Sequence, residues 1–135
     1  MICAHDIDTL ARTVWGEARG EPLAGKTAVA HVPINRMKQQ HWSGCPTVAE
    51  TCRLVAQFSC WGWSDPNRPK LEAVTLDDEV FQECMFAALA VALGYEVDPT
   101  AGATHYHTRD VKPKWAAGQT PCAEIGAHLF YRGIK

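Results

Sequence analysis

An apolar-faced helix that stops at a glycine, glutamate and proline constrains this chain more than any other feature. Apolar residues recur at the 3.6-residue helical period at positions 7, 10, 11, 14 and 18. Gly20 offers a helix C-cap and Pro22 cannot continue the helix. The pattern therefore predicts a helix from about Asp6 to Arg19 that packs by one face and presents the segment Trp15–Pro22 at its end.

Glu17 falls on the edge of that apolar face. Partial desolvation disfavours a charged carboxylate and raises its pKa, as a general acid working near neutral pH requires. Glu21 follows the helix end and is the weaker candidate. Most helical glutamates are solvated or paired, and Arg12 or Arg19 offers a partner, so the pattern by itself leaves a catalytic and a surface role open for Glu17.

Length and charge indicate a single ordinary globular domain. The 135 residues suit one domain, expected to cover residues 1–135 and to act as a monomer. A net charge of -2 gives no general attraction to nucleic acid or to a membrane surface, so neither partner is expected. Seven acids without a Lys or Arg lie between Glu72 and Asp98, which is typical of a solvated acidic helix face.

The N-terminus lacks a basic region followed by an apolar run, and no stretch has the length of a membrane span. The sequence thus predicts a protein made in the cytoplasm without a visible signal peptide and without stable membrane insertion. Six cysteines form no C-x-x-C pair, so neither a zinc ribbon nor a redox motif is indicated. Cys52 and Cys84 lie on apolar helical stripes, and any disulfide pairing stays open.

Further periodic segments predict a mainly α (α+β) fold with several helices and a small β element. One helix is expected over residues 24–37, with a kink or a restart at Pro33. Thr47 and Glu50 match a capping box at the start of another helix, and the clearest helix is expected over residues 76–93. Short strands are expected over residues 103–108 and 128–131, and residues 65–69 read as a turn.

Three aromatic or polar segments are candidates to face Glu17. They are residues 58–63, the strand 104–108, and Trp115 in a loop with two lysines. Sugar rings stack on Trp and Tyr, while Ser, Tyr and His bind ring hydroxyls, so a polysaccharide suits such a surface. Each aromatic residue taken alone is more often part of a core.

The motifs resemble a known family over nearly the whole chain. The sequence of residues 10–21, which contains Gly-Glu-Ala-Arg-Gly-Glu, closely resembles the cell-wall hydrolase family that contains spore-cortex-lytic enzymes. The likeness extends to residues 25–30, Asn35-Arg36, Phe58-Ser59-Cys60-Trp61, Ala103-Thr104-His105-Tyr106 and residues 125–131. The joint occurrence of these pieces is more specific than any one of them.

The resemblance implies a lysozyme-like domain that degrades peptidoglycan by cleaving the β-1,4 bond between N-acetylmuramic acid and N-acetylglucosamine. It implies that Glu17 is the catalytic acid of a lytic transglycosylase or muramidase. A lytic transglycosylase uses the 6-hydroxyl of the muramic acid to close a 1,6-anhydro ring. Hydrolysis normally requires a second carboxylate across the bond, for which Asp65 and Asp110 are the candidates.

The same resemblance suggests roles for the other segments. Ser59 and Tyr106 are expected to hold hydroxyl or N-acetyl groups, and Trp61 and Trp115 to line the saccharide cleft. His107 is a further substrate-binding candidate beside Tyr106, and neither a metal nor another cofactor is expected. Pro33, and the histidines that flank Tyr106, depart from the family pattern.

Two alternatives use the same residues differently. His105 and His107 share a face of a strand and, with His128 or Cys60, are candidates for a zinc site of an N-acetylmuramoyl-alanine amidase. A non-catalytic peptidoglycan-binding module is the second alternative. Whether the chain is a glycosidase or an amidase, a catalytic domain without a visible anchor suits a phage or prophage lysis protein that acts on the bacterial cell wall.

Overall fold

The computed structural model describes residues 2–39, 46–54 and 58–134. The helices are α1 (Ala4–Ala18), α2 (Leu23–Lys38), α3 (Val48–Arg53), α4 (Asn67–Ala73) and α5 (Glu79–Ala92). The strands are β1 (His105–Thr108), β2 (Ala123–Ile125) and β3 (His128–Tyr131), and single 3-10 turns cover Ser59–Trp61 and Lys114–Ala116. The α+β single-domain fold expected from the sequence is confirmed.

Helix α1 is the centre of the domain. It packs against all four other helices and against the Ser59–Trp61 turn. Leu10, Ala11 and Val14 on its apolar face are fully buried, and each buried Leu or Val stabilises the fold by roughly 1.5–3 kcal/mol. The predicted apolar stripe therefore determines which face of α1 packs against the core. Glu17 lies near the end of this helix, at the boundary between core and solvent.

A kink or a restart was expected at Pro33; helix α2 runs through Pro33 as a single element, so the restart is wrong and the kink stays a prediction. The segment Ala28–Ile34 is buried throughout, and packing on both sides offsets the one backbone bond that a proline removes. Asn35 braces the fold: its Nδ2 donates to Asp98 Oδ2 at 2.8 Å and to the Ala103 carbonyl at 3.0 Å.

Side-chain caps define the start of two helices. Thr47 Oγ1 accepts the Glu50 N–H at 3.1 Å before α3, and Asp78 Oδ1 accepts the Phe81 N–H at 2.8 Å before α5. The predicted turn at residues 65–69 instead leads into α4. Asp65 Oδ1 accepts the Asn67 N–H at 2.8 Å, and burial of Leu71 gives this short helix its apolar contact.

The three strands form one antiparallel sheet in the order β1-β3-β2. Tyr106 of β1 and Ala123 of β2 both pair with Phe130 of β3. Strands β1 and β3 lie within the predicted segments, whereas β2 has no alternating pattern that would predict it. The sheet brings the only tyrosine of β1 towards the end of α1.

The described cysteines, Cys3, Cys52, Cys60, Cys84 and Cys122, are all free thiols. Cys52 and Cys84 are fully buried, as their helical pattern predicts, and burial raises the pKa of each thiol to about 12. Within the described ranges, none of the helices has both the length and the hydropathy needed to cross a bilayer.

Candidate functional site

A close approach between α1 and the Ser59–Trp61 turn positions the site. A Cβ atom on Gly16 would lie 2.7 Å from Cβ and 2.8 Å from Sγ of Cys60. Glycine is therefore required at position 16, because any side chain would push the turn away from the helix. Glu17 and Ser59, the neighbours of these two residues, are thereby brought together.

Two side-chain hydroxyls donate hydrogen bonds to the carboxylate of Glu17. The Tyr106 hydroxyl donates to Oε1 at 2.9 Å, and the Ser59 hydroxyl donates to Oε2 at a longer 3.4 Å. The two donors come from β1 and from the 3-10 turn, so three separate parts of the fold meet at one carboxyl group. Tyr106 is itself held by ring contacts with Phe58, His128 and Phe130.

Burial raises the pKa of Glu17 above its ordinary value of 4.5. The hydrogen bonds from Tyr106 and Ser59 act in the opposite direction, because they stabilise the carboxylate, and the negative charge of Asp65 raises the pKa further. Burial also raises the pKa of Tyr106 well above 10, so its hydroxyl stays a donor. The site therefore holds a carboxyl group that keeps its proton to higher pH than an ordinary glutamate does.

A pocket of about 300 Å³ opens in front of Glu17. Its lining consists of Glu17, Arg36, Ser59, Tyr106, His107, Thr108, Val111 and His128. Four of the residues predicted from the sequence, namely Glu17, Ser59, Tyr106 and His107, are thus brought together in one pocket. Within this lining, which belongs to the described part of the chain, Glu17 is the only carboxylate.

Arg36 supplies a buried positive charge to the pocket. Its Nε donates to the Thr104 carbonyl at 2.5 Å, and its guanidinium lies 4.5 Å above the centre of the Phe58 ring. Burial lowers the pKa of Arg36 to about 10, so it remains a cation at neutral pH. Arg36 was not among the site residues predicted from the sequence; its place beside Asn35 in the family motif was the available signal.

Glu21 binds the turn between β2 and β3 through its side chain. Its Oε1 accepts the Ala127 N–H at 2.9 Å and lies 3.6 Å from Nδ1 of His128. Cβ atoms added to Gly25 and Gly126 would lie 2.9 Å and 2.1 Å from Glu21 atoms, so both glycines make room for its side chain. The second glutamate of the motif therefore holds the sheet against the end of α1.

His128 lies next to both Glu21 and Tyr106. It is 3% exposed, and its ring meets the Tyr106 ring edge-on at 5.1 Å. Burial lowers the pKa of His128, against the charge of Glu21, which raises it. A neutral His128 therefore lies between Glu21 and the tyrosine that donates to Glu17.

Two predicted cleft residues lie away from the Glu17 pocket. Trp61 is 8% exposed, its indole N–H donates to Thr13 Oγ1 at 2.9 Å, and its remaining surface lines a separate pocket beside Trp63. Trp115 packs against His105, His107 and Tyr131, with ring centres 5.0, 5.7 and 5.2 Å apart. Trp115 thus lies behind His107 rather than in the lining of the pocket.

The candidates for a second carboxylate also lie outside this lining. Asp65 caps the start of α4, and Asp110 is exposed beyond the end of β1, where a hydrogen bond with Thr108 lowers its pKa. Asp65 still influences Glu17 through its charge.

The histidines of the predicted zinc site have other partners. His107 Nδ1 lies 2.7 Å from the Thr108 carbonyl and Nε2 lies 2.8 Å from the Tyr131 hydroxyl, while His105 Nδ1 lies 2.9 Å from Thr104 Oγ1. In the described part of the chain, no three His, Cys, Asp or Glu side chains are grouped as metal ligands. The two histidines share a face, as predicted, but that face is occupied by Trp115.

Comparison with known sequences gives a family match. Residues 20–131 match the Cell Wall Hydrolase family, a match that begins three residues after Glu17. Spore cortex-lytic enzymes of Halalkalibacterium halodurans and Bacillus subtilis are each 30% identical to the chain over 93% of its length. The chain spans 34% and 37% of the length of these two relatives.

Solved structures show the same fold. The catalytic domain of the Bacillus cereus SleB protein is 26% identical, with a TM-score of 0.72 over 96% of this chain and 91% of that domain. The catalytic domain of the germination-specific lytic transglycosylase SleB from Bacillus anthracis is 27% identical, with a TM-score of 0.71 over 95% and 94% of the two chains. The similarity therefore covers the catalytic part of these proteins.

Proposed function

Because the chain belongs to the Cell Wall Hydrolase family, we propose that it is a lytic transglycosylase that cleaves the β-1,4 bond between N-acetylmuramic acid and N-acetylglucosamine in peptidoglycan. Glu17 acts first as the acid and then as the base. The observation that carries this proposal is the pocket in which Glu17, with its raised pKa, is bound by Tyr106 and Ser59. The similarity to the catalytic domain of a lytic transglycosylase supports it.

In the first step, protonated Glu17 donates its proton to the glycosidic oxygen. The bond between C1 of the muramic acid and that oxygen breaks, the oxygen leaves as a hydroxyl, and positive charge develops on the muramic ring. A raised pKa favours this step because the carboxyl group must carry its proton at the working pH.

In the second step, the carboxylate of Glu17 takes the proton of the muramic 6-hydroxyl, whose oxygen attacks C1 and closes the 1,6-anhydro ring. Tyr106 and Ser59 hold the carboxylate in place for this transfer, and the cation of Arg36 favours its charged form. Glu17 regains its proton, so the cycle needs no second carboxylate. The lining of the pocket is consistent with this, since Glu17 is its only carboxylate among the described residues.

Hydrolysis by a muramidase is the second candidate. It requires a carboxylate on the opposite side of the bond to activate water or to attack the sugar. Asp65 affects the pKa of Glu17 through its charge, and this makes it the remaining candidate. The amidase alternative is not supported, because the family and the solved relatives agree with glycan cleavage.

The test is mass spectrometry of the soluble products released from purified peptidoglycan by the native protein, by Glu17→Gln and by Glu79→Gln, each with and without EDTA. Glu79 is an exposed helical glutamate outside the pocket lining and serves as the matched control. We expect products that end in anhydro-muramic acid, unchanged by EDTA and by Glu79→Gln. They should fall by a factor of about 10² to 10⁴ in Glu17→Gln, the usual contribution of a general acid and base.

Each other outcome contradicts the proposal in a recognisable way. Reducing ends without an anhydro ring would identify a muramidase, and free stem peptides that disappear with EDTA would identify an amidase. Binding to sacculi without release of any product would identify a non-catalytic binding module.

The names of the relatives bear on the setting in which the enzyme acts. The relatives from Halalkalibacterium halodurans and Bacillus subtilis are spore cortex-lytic enzymes, so we propose cortex-type or vegetative peptidoglycan as the substrate, bound by a monomer. The phage lysis role expected from the sequence gains no support from these relatives.

A further inference from the structure

A second pocket, of about 520 Å³, adjoins the Glu17 pocket. His107 lines both pockets, and Val111 of the first is the chain neighbour of Lys112 of the second. Arg109, Lys112 and Lys114 line the second pocket on one side, and Leu129 and Tyr131 of β3 line it on another. Glu17, Ser59 and Tyr106 are not part of its lining, and we call it the basic pocket.

The basic pocket has an excess of positive charge. Lys112 and Lys114 are exposed and form no ion pair with any residue in the described ranges. Arg109 pairs with Glu124 at 3.1 Å, at a largely exposed position. No carboxylate is part of the described lining, and Asp110, the nearest acid in the chain, is hydrogen-bonded with Thr108. Two lysines therefore face the pocket without a compensating charge.

The segment that carries the lysines is held in place. Trp115 follows Lys114 directly, and its ring packs against His105, His107 and Tyr131 with centres 5.0 to 5.7 Å apart. Tyr131 also shares a hydrogen bond with His107 at 2.8 Å. Preorganised groups bind a ligand with a smaller entropic cost, so this anchored segment is suited to a ligand.

The substrate carries its negative charge in one place. The two sugar rings of peptidoglycan are neutral, whereas the stem peptide bears free carboxylates and alanine methyl groups. The stem begins at the lactyl group of the muramic acid, the same ring whose C1–O bond is broken at Glu17. Any stem peptide must therefore leave the Glu17 pocket next to the ring that reacts.

We propose that the basic pocket binds the stem peptide of the muramic acid that reacts, with Lys112 and Lys114 as partners for its carboxylates. The surface of Leu129, Tyr131 and Pro113 offers an apolar floor for the alanine side chains. This inference rests on the proposed function, and it names the part of the substrate that the second pocket recognises.

The dimensions agree with this assignment. A compact pocket of about 520 Å³ is roughly 10 Å across, and four extended residues span about 13 Å at roughly 3.3 Å each. A stem of that length therefore crosses the basic pocket and brings its terminal carboxylate to the far side. Because His107 lines both pockets, the stem can pass directly from the Glu17 pocket into the basic pocket.

The test compares two substrates made from one preparation of glycan strands. One keeps its stem peptides, and the other has had them removed by an amidase, which leaves a free lactyl carboxylate. A third sample keeps the peptides but has its carboxylates converted to neutral amides. We would measure kcat/KM for the native protein, for Lys112→Gln/Lys114→Gln and for Lys70→Gln. The last variant removes one exposed lysine of α4, outside both pockets.

The native protein should prefer the peptide-bearing strands over both other samples. In the double variant, the ratio of kcat/KM for peptide-bearing over peptide-free strands should fall roughly three- to tenfold, as expected for two exposed ion pairs. Lys70→Gln should leave this ratio unchanged, and circular dichroism should show an unchanged melting temperature for both variants.

Two results would overturn the inference while the proposed function stands. One is equal cleavage of all three samples by the native protein. The other is an equal fall on peptide-bearing and peptide-free strands in the double variant, which would show that the lysines act on the glycan strand itself rather than on the stem peptide. Failure of the native protein to cleave any of the samples, with Glu17→Gln equally inactive, would instead contradict the proposed function.

Discussion

The hydroxyl of Tyr106 donates a hydrogen bond of 2.9 Å to Glu17 Oε1, across 89 positions of the chain. This bond stabilises the carboxylate and so lowers the pKa of Glu17 against the effect of burial, which raises it. The pKa of Glu17 is therefore a balance in which burial acts against a hydrogen bond from one strand residue.

Tyr106→Phe should raise the pKa of Glu17 further, because burial then acts with less opposition. In the proposed mechanism, activity falls at alkaline pH as Glu17 loses its proton, so the alkaline limb of kcat/KM should move to higher pH. Loss of one hydrogen bond to a charged group should lower kcat about tenfold. The measurement is a pH profile of muropeptide release.

Tyr95→Phe is the matched control for Tyr106→Phe, because Tyr95 is 81% exposed and lies outside the pocket lining. It should leave the pH profile unchanged. An unchanged alkaline limb in Tyr106→Phe would show that the tyrosine does not tune Glu17.

Glu17→Gln should stabilise the folded protein at neutral pH. The pKa of Glu17 is raised in the fold, so its contribution to stability is present below the ordinary value of 4.5 and is lost as pH rises through the folded-state pKa. At pH 7 the native protein therefore carries the cost of a desolvated charge that glutamine lacks. Thermal unfolding should give a melting temperature higher by a few degrees in the variant.

The same measurement at pH 4 provides the internal check on Glu17→Gln, because the difference in melting temperature should shrink there. Glu79→Gln, which changes an exposed carboxylate, should show no gain at pH 7. A lower melting temperature for Glu17→Gln at pH 7 would contradict the assignment of a destabilised carboxylate.

Gly126→Ala should destabilise the fold more than Gly118→Ala. Both glycines have positive φ, +56° and +74°, so alanine costs about 1–2 kcal/mol of backbone strain at each. At Gly126 alone, the new Cβ would also lie 2.1 Å from Glu21 Oε1 and displace the carboxylate from the Ala127 N–H. The extra loss should be about 1–3 kcal/mol in the free energy of unfolding by urea.

Removal of the Glu21 side chain should abolish this difference between the two glycines. In a Glu21→Ala background, Gly126→Ala should cost no more than Gly118→Ala. Persistence of the extra cost in that background would mean that the turn, rather than Glu21, is the source of the strain.

Trp61→Phe should reduce stability more than it reduces affinity for glycan strands. The substitution removes the donor to Thr13 Oγ1 and leaves a gap in the core, a loss of roughly 2–3 kcal/mol in the free energy of unfolding. Trp63→Phe changes a tryptophan that is 86% exposed and should alter stability little. A large rise in KM for Trp61→Phe with unchanged stability would show that Trp61 contacts the glycan strand.

The sequence predicted well wherever a feature depends on neighbours along the chain. The buried face of α1, the Thr47 cap and the strands β1 and β3 all follow from local periodicity or from a capping side chain. It failed where packing overrides local preference. Pro33 is accommodated inside α2 because the surrounding segment is buried, and α4 starts at a turn signal because Leu71 has a core to pack against.

In the candidate site, too, some residues follow from local sequence and others only from tertiary packing. The motif at the end of α1 made Glu17 a candidate, because an acid beside an apolar stripe at a glycine break is visible in the sequence, and the family resemblance implied its catalytic role. Tertiary structure alone decided that Tyr106 and Ser59 reach its two oxygens, that Arg36 joins the pocket and that Trp61 lies in the core. It also decided that Glu21 binds a turn more than a hundred residues away. Such contacts depend on how helices and sheet pack together in three dimensions, and no local pattern of residue types encodes those distances.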